Sequence, residues 1–169
     1  LPGHGLVMEW LRQTASADIS GDRLILARQP MGICDPVLVL RATPAELLII
    51  AGHHDRTPPL RVALTADILT ELQALVADPD LLDAPAESGR MGMDGWSFVA
   101  DMSWGDRRVR MGHWSPDNSG IVGKLRTLHD RLLQQTRDAR FDLRRAADER
   151  RQRAVSPRHP TAPGSAATR

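Results

Sequence analysis

The stretch from Asp94 to Pro116, DGWSFVADMSWGDRRVRMGHWSP, constrains this chain more than any other. It holds three of the four tryptophans and one of the two phenylalanines. Trp96, Phe98, Ala100, Met102 and Trp104 alternate with Ser97, Val99, Asp101 and Ser103. A period of two puts one set on each face of a strand. Gly105-Asp106 is a two-residue turn signal, and a second strand follows it.

That turn fixes a register. It sets Trp104 opposite Arg107, Met102 opposite Val109, Ala100 opposite Met111 and Phe98 opposite His113, all on one face. On the other face Asp101 meets Arg110, Ser103 meets Arg108 and Ser97 meets Trp114. Opposite charges directly across a ladder contribute about 0.2–1 kcal/mol. A slip of one residue would turn Trp96, Phe98 and Met102 to water. The apolar pattern and the charge pairing therefore specify the same register, with Trp96, Phe98, Met102 and His113 on the core side.

The rest of the chain supplies partners for this hairpin. Arg23 to Arg28, Pro36 to Arg41 (PVLVLR), Leu47 to Ile50 and Leu60 to Leu64 read as strands, rich in Leu and β-branched residues. Thr43-Pro44-Ala45-Glu46 fits either a helix start or a turn between two strands. The turn is preferred, because the apolar run that follows is short and ends at Gly52. Thr65 caps a helix whose stripe is Ile68, Leu69, Leu72, Leu75 and Val76, stopped by Asp78-Pro79. Asp80 to Gly92 reads as a loop. Beyond Asp117-Asn118-Ser119 a long helix carries the stripe Ile121, Leu125, Leu128 and Leu132, and continues past Gln135 with a thinner apolar face.

Strands in runs joined by short loops indicate an α+β fold. The expected architecture is an antiparallel sheet of five to six strands with two amphipathic helices on one face. Residues 1–22 form an irregular or short helical segment around Leu6 to Leu11. Residues 23–136 form the domain, 137–153 a charged helical extension and 154–169 a disordered tail.

Composition narrows function mainly by exclusion. Of 169 residues only Cys34 is a cysteine, so an internal disulfide and a four-cysteine metal site are ruled out. No apolar run approaches the roughly 20 residues a membrane-spanning helix needs. The net charge of +1 is unevenly spread. Residues 1–136 carry 13 basic and 17 acidic side chains, and residues 137–169 carry 9 and 4. The chain begins at Leu1, as a fragment or a processed protein would, and a cleaved export signal is one reading of that.

Asp94-Gly95-Trp96, the basic strand Arg107-Arg108-Val109-Arg110, and His113-Trp114-Ser115-Pro116 followed by a helix resemble a pattern in small bacterial proteins of uncharacterised activity, many of them exported. The resemblance covers residues 92–135. This chain has His113 where an arginine is usual, and it lacks the tyrosine usual on the second strand. The resemblance implies an envelope-associated α+β domain, periplasmic or exported, and carries no activity with it; a cytoplasmic setting stays open.

Three functional readings follow. The favoured one is a non-catalytic binding protein, of inhibitor or immunity type, that engages a protein partner. Its candidate surface is Trp104, Arg107, Arg108, Arg110 and Trp114, because Trp and Arg dominate binding hot spots; burial of the two indoles under a loop or the long helix is the competing reading. The second is a small hydrolase, using His53, His54 and Asp55 around a metal ion or Cys34 as a thiol nucleophile. A polar loop and a packed thiol are the blander readings of those residues, and Asp35 disfavours a thiolate at Cys34. The third is nucleic-acid binding by the Arg-rich run Arg137 to Arg153, which Asp138, Asp142, Asp148 and Glu149 interrupt into a mixed-charge helix. No cofactor is indicated, and the oligomeric state is left open.

Overall fold

The computed structural model describes residues 21–30, 36–50, 59–84, 87–88, 95–116 and 118–155. Six strands form one antiparallel sheet: β1 Arg23–Pro30, β2 Val37–Ala42, β3 Ala45–Ile50, β4 Leu60–Ala63, β6 Trp96–Trp104 and β7 Arg107–Trp114. A two-residue strand, β5 Glu87–Ser88, lies parallel to β7 at Gly112 and His113. The spatial order is β4-β3-β2-β1-β6-β7-β5. The first four strands meander outward from β1, and the Trp hairpin adds to β1's other side.

The helices are α1 Ala66–Ala77, α2 Pro79–Leu82, α3 Gly120–Gln135 and α4 Arg137–Val155. The α+β class is therefore as the strand and helix patterns indicate. The preferred turn at Thr43-Pro44 is present, with Ala42 paired to Ala45. Glu46 does not cap a helix; it lies directly across from Arg41. The Thr65 hydroxyl accepts from the Ile68 amide at 3.4 Å and starts α1.

The helices cover one face. Leu24, Leu26, Leu38, Leu40, Leu47, Ile49, Phe98, Ala100, Met102 and Met111 from the sheet meet Ile68, Leu72, Leu75, Val76, Leu81, Ile121, Leu125, Leu128, Leu132 and Leu133. The opposite face is also apolar over β1 to β3. Ile25, Ala27, Val37, Val39, Leu48, Ile50 and Val99 form a second buried cluster, built among the described residues from strand side chains alone. Unbroken runs such as Val37–Leu40 give both faces an apolar surface, as in strands buried on two sides.

Three boundaries differ from the sequence reading. Within the segment read as a loop, Asp78 accepts from the Asp80 amide at 3.0 Å and caps the short helix α2, and β5 follows. The long helix does not run straight through: Thr136 ends α3 with a non-helical backbone, its hydroxyl donating to the Leu132 carbonyl at 2.6 Å, before α4 begins. The helix then extends through Ala154 and Val155, two residues beyond the end expected at 153. Residues 1–20 and 156–169 lie outside the described residues, so the expectations for the N-terminal segment and the tail do as well.

Candidate functional site

The register of the hairpin is the one the sequence dictates, with Trp104 opposite Arg107, Asp101 opposite Arg110, Phe98 opposite His113 and Ser97 opposite Trp114. A positive φ at Gly105 and not at Asp106 fits a type II′ turn. His113 is buried on the helix side, as expected for a core histidine. Trp96 is only half-buried.

This register divides the five candidate binding residues between two faces. Trp104 and Arg107 share the helix-covered face. Trp104 is half-buried and packs against the main core. Arg107 donates to the Val76 carbonyl at 3.0 Å, in the last turn of α1. That turn has no basic residue of its own, so Arg107 supplies the positive charge that a helix C-terminus favours. Arg108, Arg110 and Trp114 lie on the outer face. Trp104 and Arg107 are thus tied to packing, and the outer-face residues form a separate group.

The outer group gains a member from another strand. Because β6 pairs with β1, Arg23 sits directly across from Ser103, which sits across from Arg108. The next row holds Ile25, Asp101 and Arg110. Asp101 is buried and accepts from Arg110 Nε at 3.1 Å. Partial burial pushes the Arg23 guanidinium below its usual range; Asp101 acts against this, while Arg108 and Arg110 push it further down. Among the described residues the buried Nε of Arg23 has no hydrogen-bond partner. Among the described residues one buried carboxylate therefore stands among three guanidiniums, and the exposed Asp22 accepts from the Gly105 amide at 2.8 Å at the turn end. Arg108 is exposed and donates to the carbonyls of Gly105 and Arg107 at 2.7 and 2.6 Å. The Arg110 side chain is 63% exposed.

The other charge clusters are more evenly matched. Glu46 accepts from both Arg41 and Arg61, at 3.0 and 2.8 Å. Asp130 lies 3.9 Å from Arg28 and from Arg126, and both guanidiniums pack on the Trp96 ring, 5.7 and 5.1 Å from its centroid. This Trp96 cluster was not legible in the sequence, because it joins β1, β6 and α3.

The open end of the hairpin is structural. A Cβ at Gly95 would lie 2.6 Å from the Trp114 ring, so the indole rests against the Gly95 backbone. Ser115, at φ 41°, donates its amide to the Trp96 carbonyl at 2.8 Å. Pro116 accepts from Arg126 at 2.7 Å. The Gly-Trp and Trp-Ser-Pro motifs are therefore neighbours in space, and packing explains why they occur together.

Guanidiniums stay charged across the physiological range and recognise anions rather than transfer protons. Among the described residues no three His, Cys, Asp or Glu side chains converge as a metal site. His53, His54, Asp55 and Cys34, the hydrolase candidates, lie outside the described residues. On α4, Arg145 lies near Asp142 and Glu149 at 3.8 and 3.9 Å, which is the mixed-charge pattern of a solvated helix. Among the described residues no helix is long and apolar enough to cross a membrane. No protein-family model, curated protein or solved structure matches this chain.

Proposed function

We propose that this domain is a non-catalytic binding protein that engages another protein through the outer face of the β6–β7 hairpin. The observation that carries the reading is the concentration of Arg23, Arg108 and Arg110 near the buried carboxylate of Asp101, with the two hairpin arginines exposed. Arginine forms planar, directional hydrogen bonds and is enriched at interface hot spots. Arg108 and Arg110 are the contact residues in this reading. Trp114 borders them as a half-buried, rigid wall. The resemblance of residues 92–135 to exported bacterial proteins supports an envelope or extracellular setting, where inhibitor and immunity proteins act by such contacts.

The test is capture from an envelope extract of the source organism on the immobilised domain, with Arg108→Glu in parallel. A partner retained by the native domain and lost from Arg108→Glu, with identical far-UV circular dichroism and melting, is the expected result. Retention unaffected by Arg108→Glu and by Trp114→Ala would overturn the reading.

A further inference from the structure

We infer that the partner presents an extended acidic segment, which adds as a strand to the outer edge of β7 and sets alternate carboxylates against Arg108 and Arg110. This rests on the binding reading above and names the chemistry of what is bound.

Among the described residues the edge is unpaired along the basic part of the strand. Among the described residues β5 is the outer neighbour of β7, and it reaches only Gly112 and His113. Among the described residues no strand flanks the segment from Arg107 to Met111 on that side. Backbone parity then decides which groups face outward. A two-residue turn makes Trp104 and Arg107 a hydrogen-bonded pair, and such pairs alternate with non-bonded ones along an antiparallel ladder. The amide of Ser115 bonding to Trp96 fits the same phase. Arg108 and Arg110 therefore belong to non-bonded pairs, and their N–H and C=O groups point away from β6.

The side chains of the same two residues set the partner's sequence. They are two apart on β7 and lie on one face. Their spacing is about 6.7 Å, the repeat of alternate residues in any strand laid beside them. An added strand would place every second side chain next to Arg108 and Arg110 on the outer face. Carboxylates are the complement there, since the local balance is three guanidiniums to one buried carboxylate. The intervening side chains would fall beside Val109 and Met111 at the border of the core, where apolar groups fit. The recognised pattern is acidic–apolar–acidic. Main-chain bonds would hold such a strand, and the alternate side chains would select it. A second copy of this chain laid along the same edge would oppose arginines to arginines, which disfavours self-pairing there. A nucleic acid would gain little, because the described indole on this face, Trp114, is pressed against Gly95 and is no open stacking platform.

The probe is a fluorescein-labelled Glu-Val-Glu-Val-Glu peptide, titrated by anisotropy into the full chain. Lys-Val-Lys-Val-Lys and a short oligothymidylate serve as comparisons. Saturable binding of the acidic peptide alone is expected. Arg108→Gln should weaken it about tenfold, the equivalent of one charge-assisted contact. Arg145→Gln on α4 should leave it unchanged. Replacing the central Glu by Pro, with one Glu added at one end to keep the charge, should abolish binding if the peptide pairs as a strand. Equal binding of the basic peptide, preferential binding of the oligonucleotide, no saturable binding, or indifference to Arg108→Gln would each overturn the inference. A partner that is captured through Arg108 but not displaced by the acidic peptide would overturn this inference and leave the broader binding reading standing.

Discussion

Gly123→Ala should destabilise the domain, although the same change in an ordinary helix stabilises it. Alanine is favoured over glycine in a helix interior by about 1 kcal/mol, and Gly123 lies in the body of α3. A Cβ there, however, would fall 2.2 Å from the carbonyl oxygen of Asn118 and 2.3 Å from its carbonyl carbon. Comfortable C···O approaches are about 3.3–3.6 Å, so the Asn118 peptide must retreat by about 1 Å. Both clashing atoms are backbone, and no rotamer change relieves them. The segment is also tethered: Arg126 donates to the Pro116 carbonyl at 2.7 Å, and the Gly123 amide donates to Ser119 at 3.0 Å.

Forced backbone shifts of this kind cost about 1–3 kcal/mol. Loss of a hydrogen bond to a charged donor adds about 1.5–3 kcal/mol if the tether breaks. Against the propensity gain, the net expectation is a loss of about 2 kcal/mol, or roughly 4–8 °C in Tm for a chain of this size. Urea unfolding followed by tryptophan fluorescence should show a lower midpoint with an unchanged slope. If the strain passes through the tether, the double variant with Arg126→Ala should be less destabilised than the sum of the two single variants, by at least about 0.5 kcal/mol. A midpoint for Gly123→Ala equal to or above that of the native chain would refute the close-approach argument.

Two further perturbations separate structural charges from binding ones. Arg107→Ala removes the contact to the Val76 carbonyl and should cost about 1 kcal/mol in urea unfolding while leaving acidic-peptide affinity unchanged; the opposite result would put Arg107 in the binding face. Lys124 donates to Asp78 at 2.7 Å, which lowers the Asp78 pKa and raises that of Lys124, mainly through that bond. The lowered carboxyl contributes stability above the ordinary carboxylate range and loses it as pH falls through its depressed folded pKa. The raised ammonium contributes below the ordinary lysine range and loses it as pH rises through its elevated folded pKa. The stability difference between the native chain and Lys124→Met should therefore be flat around neutrality and shrink at both extremes, and a difference that grows on acidification would contradict the pair.

Local elements were legible because each is specified by neighbours in the chain. The hairpin register follows from a two-residue turn and strict alternation between Trp96 and Trp104, and α1 follows from Thr65 and a single apolar stripe. What the sequence could not show is which strand lies beside β6. Arg23 is more than 70 residues from Asp101, and only the insertion of β1 between β2 and β6 brings it into the outer cluster. The same gap hid the Trp96 cluster, whose Arg28, Arg126 and Asp130 come from β1 and α3. It also hid the packing of Trp104 on the main core and the contact of the exposed Arg107 with the Val76 carbonyl, because both depend on where α1 and the core sit. The buried His129 on α3, packed edge-on against Phe98 with ring centroids 5.7 Å apart, falls at a polar position of an otherwise aliphatic stripe, and no local signal marked it.

The outer cluster also stands apart energetically. In the Glu46 and Asp130 clusters one carboxylate serves two guanidiniums. On the outer face of the hairpin the buried Asp101 pairs with Arg110 and favours the charge on Arg23, whose pKa is lowered first by burial and then by Arg108 and Arg110. Like charges on one face of a ladder repel, so a neutral side chain at position 108 relieves repulsion while giving up the contacts to the Gly105 and Arg107 carbonyls. Arg108→Gln should accordingly leave the urea midpoint nearly unchanged, within a few tenths of a kcal/mol, while weakening acidic-peptide binding. Removing a purely structural charge does the reverse, as Arg107→Ala should. A residue whose loss spares folding and harms binding would be marked as a binding residue, and that contrast tests the edge of β7 more sharply than exposure or composition does.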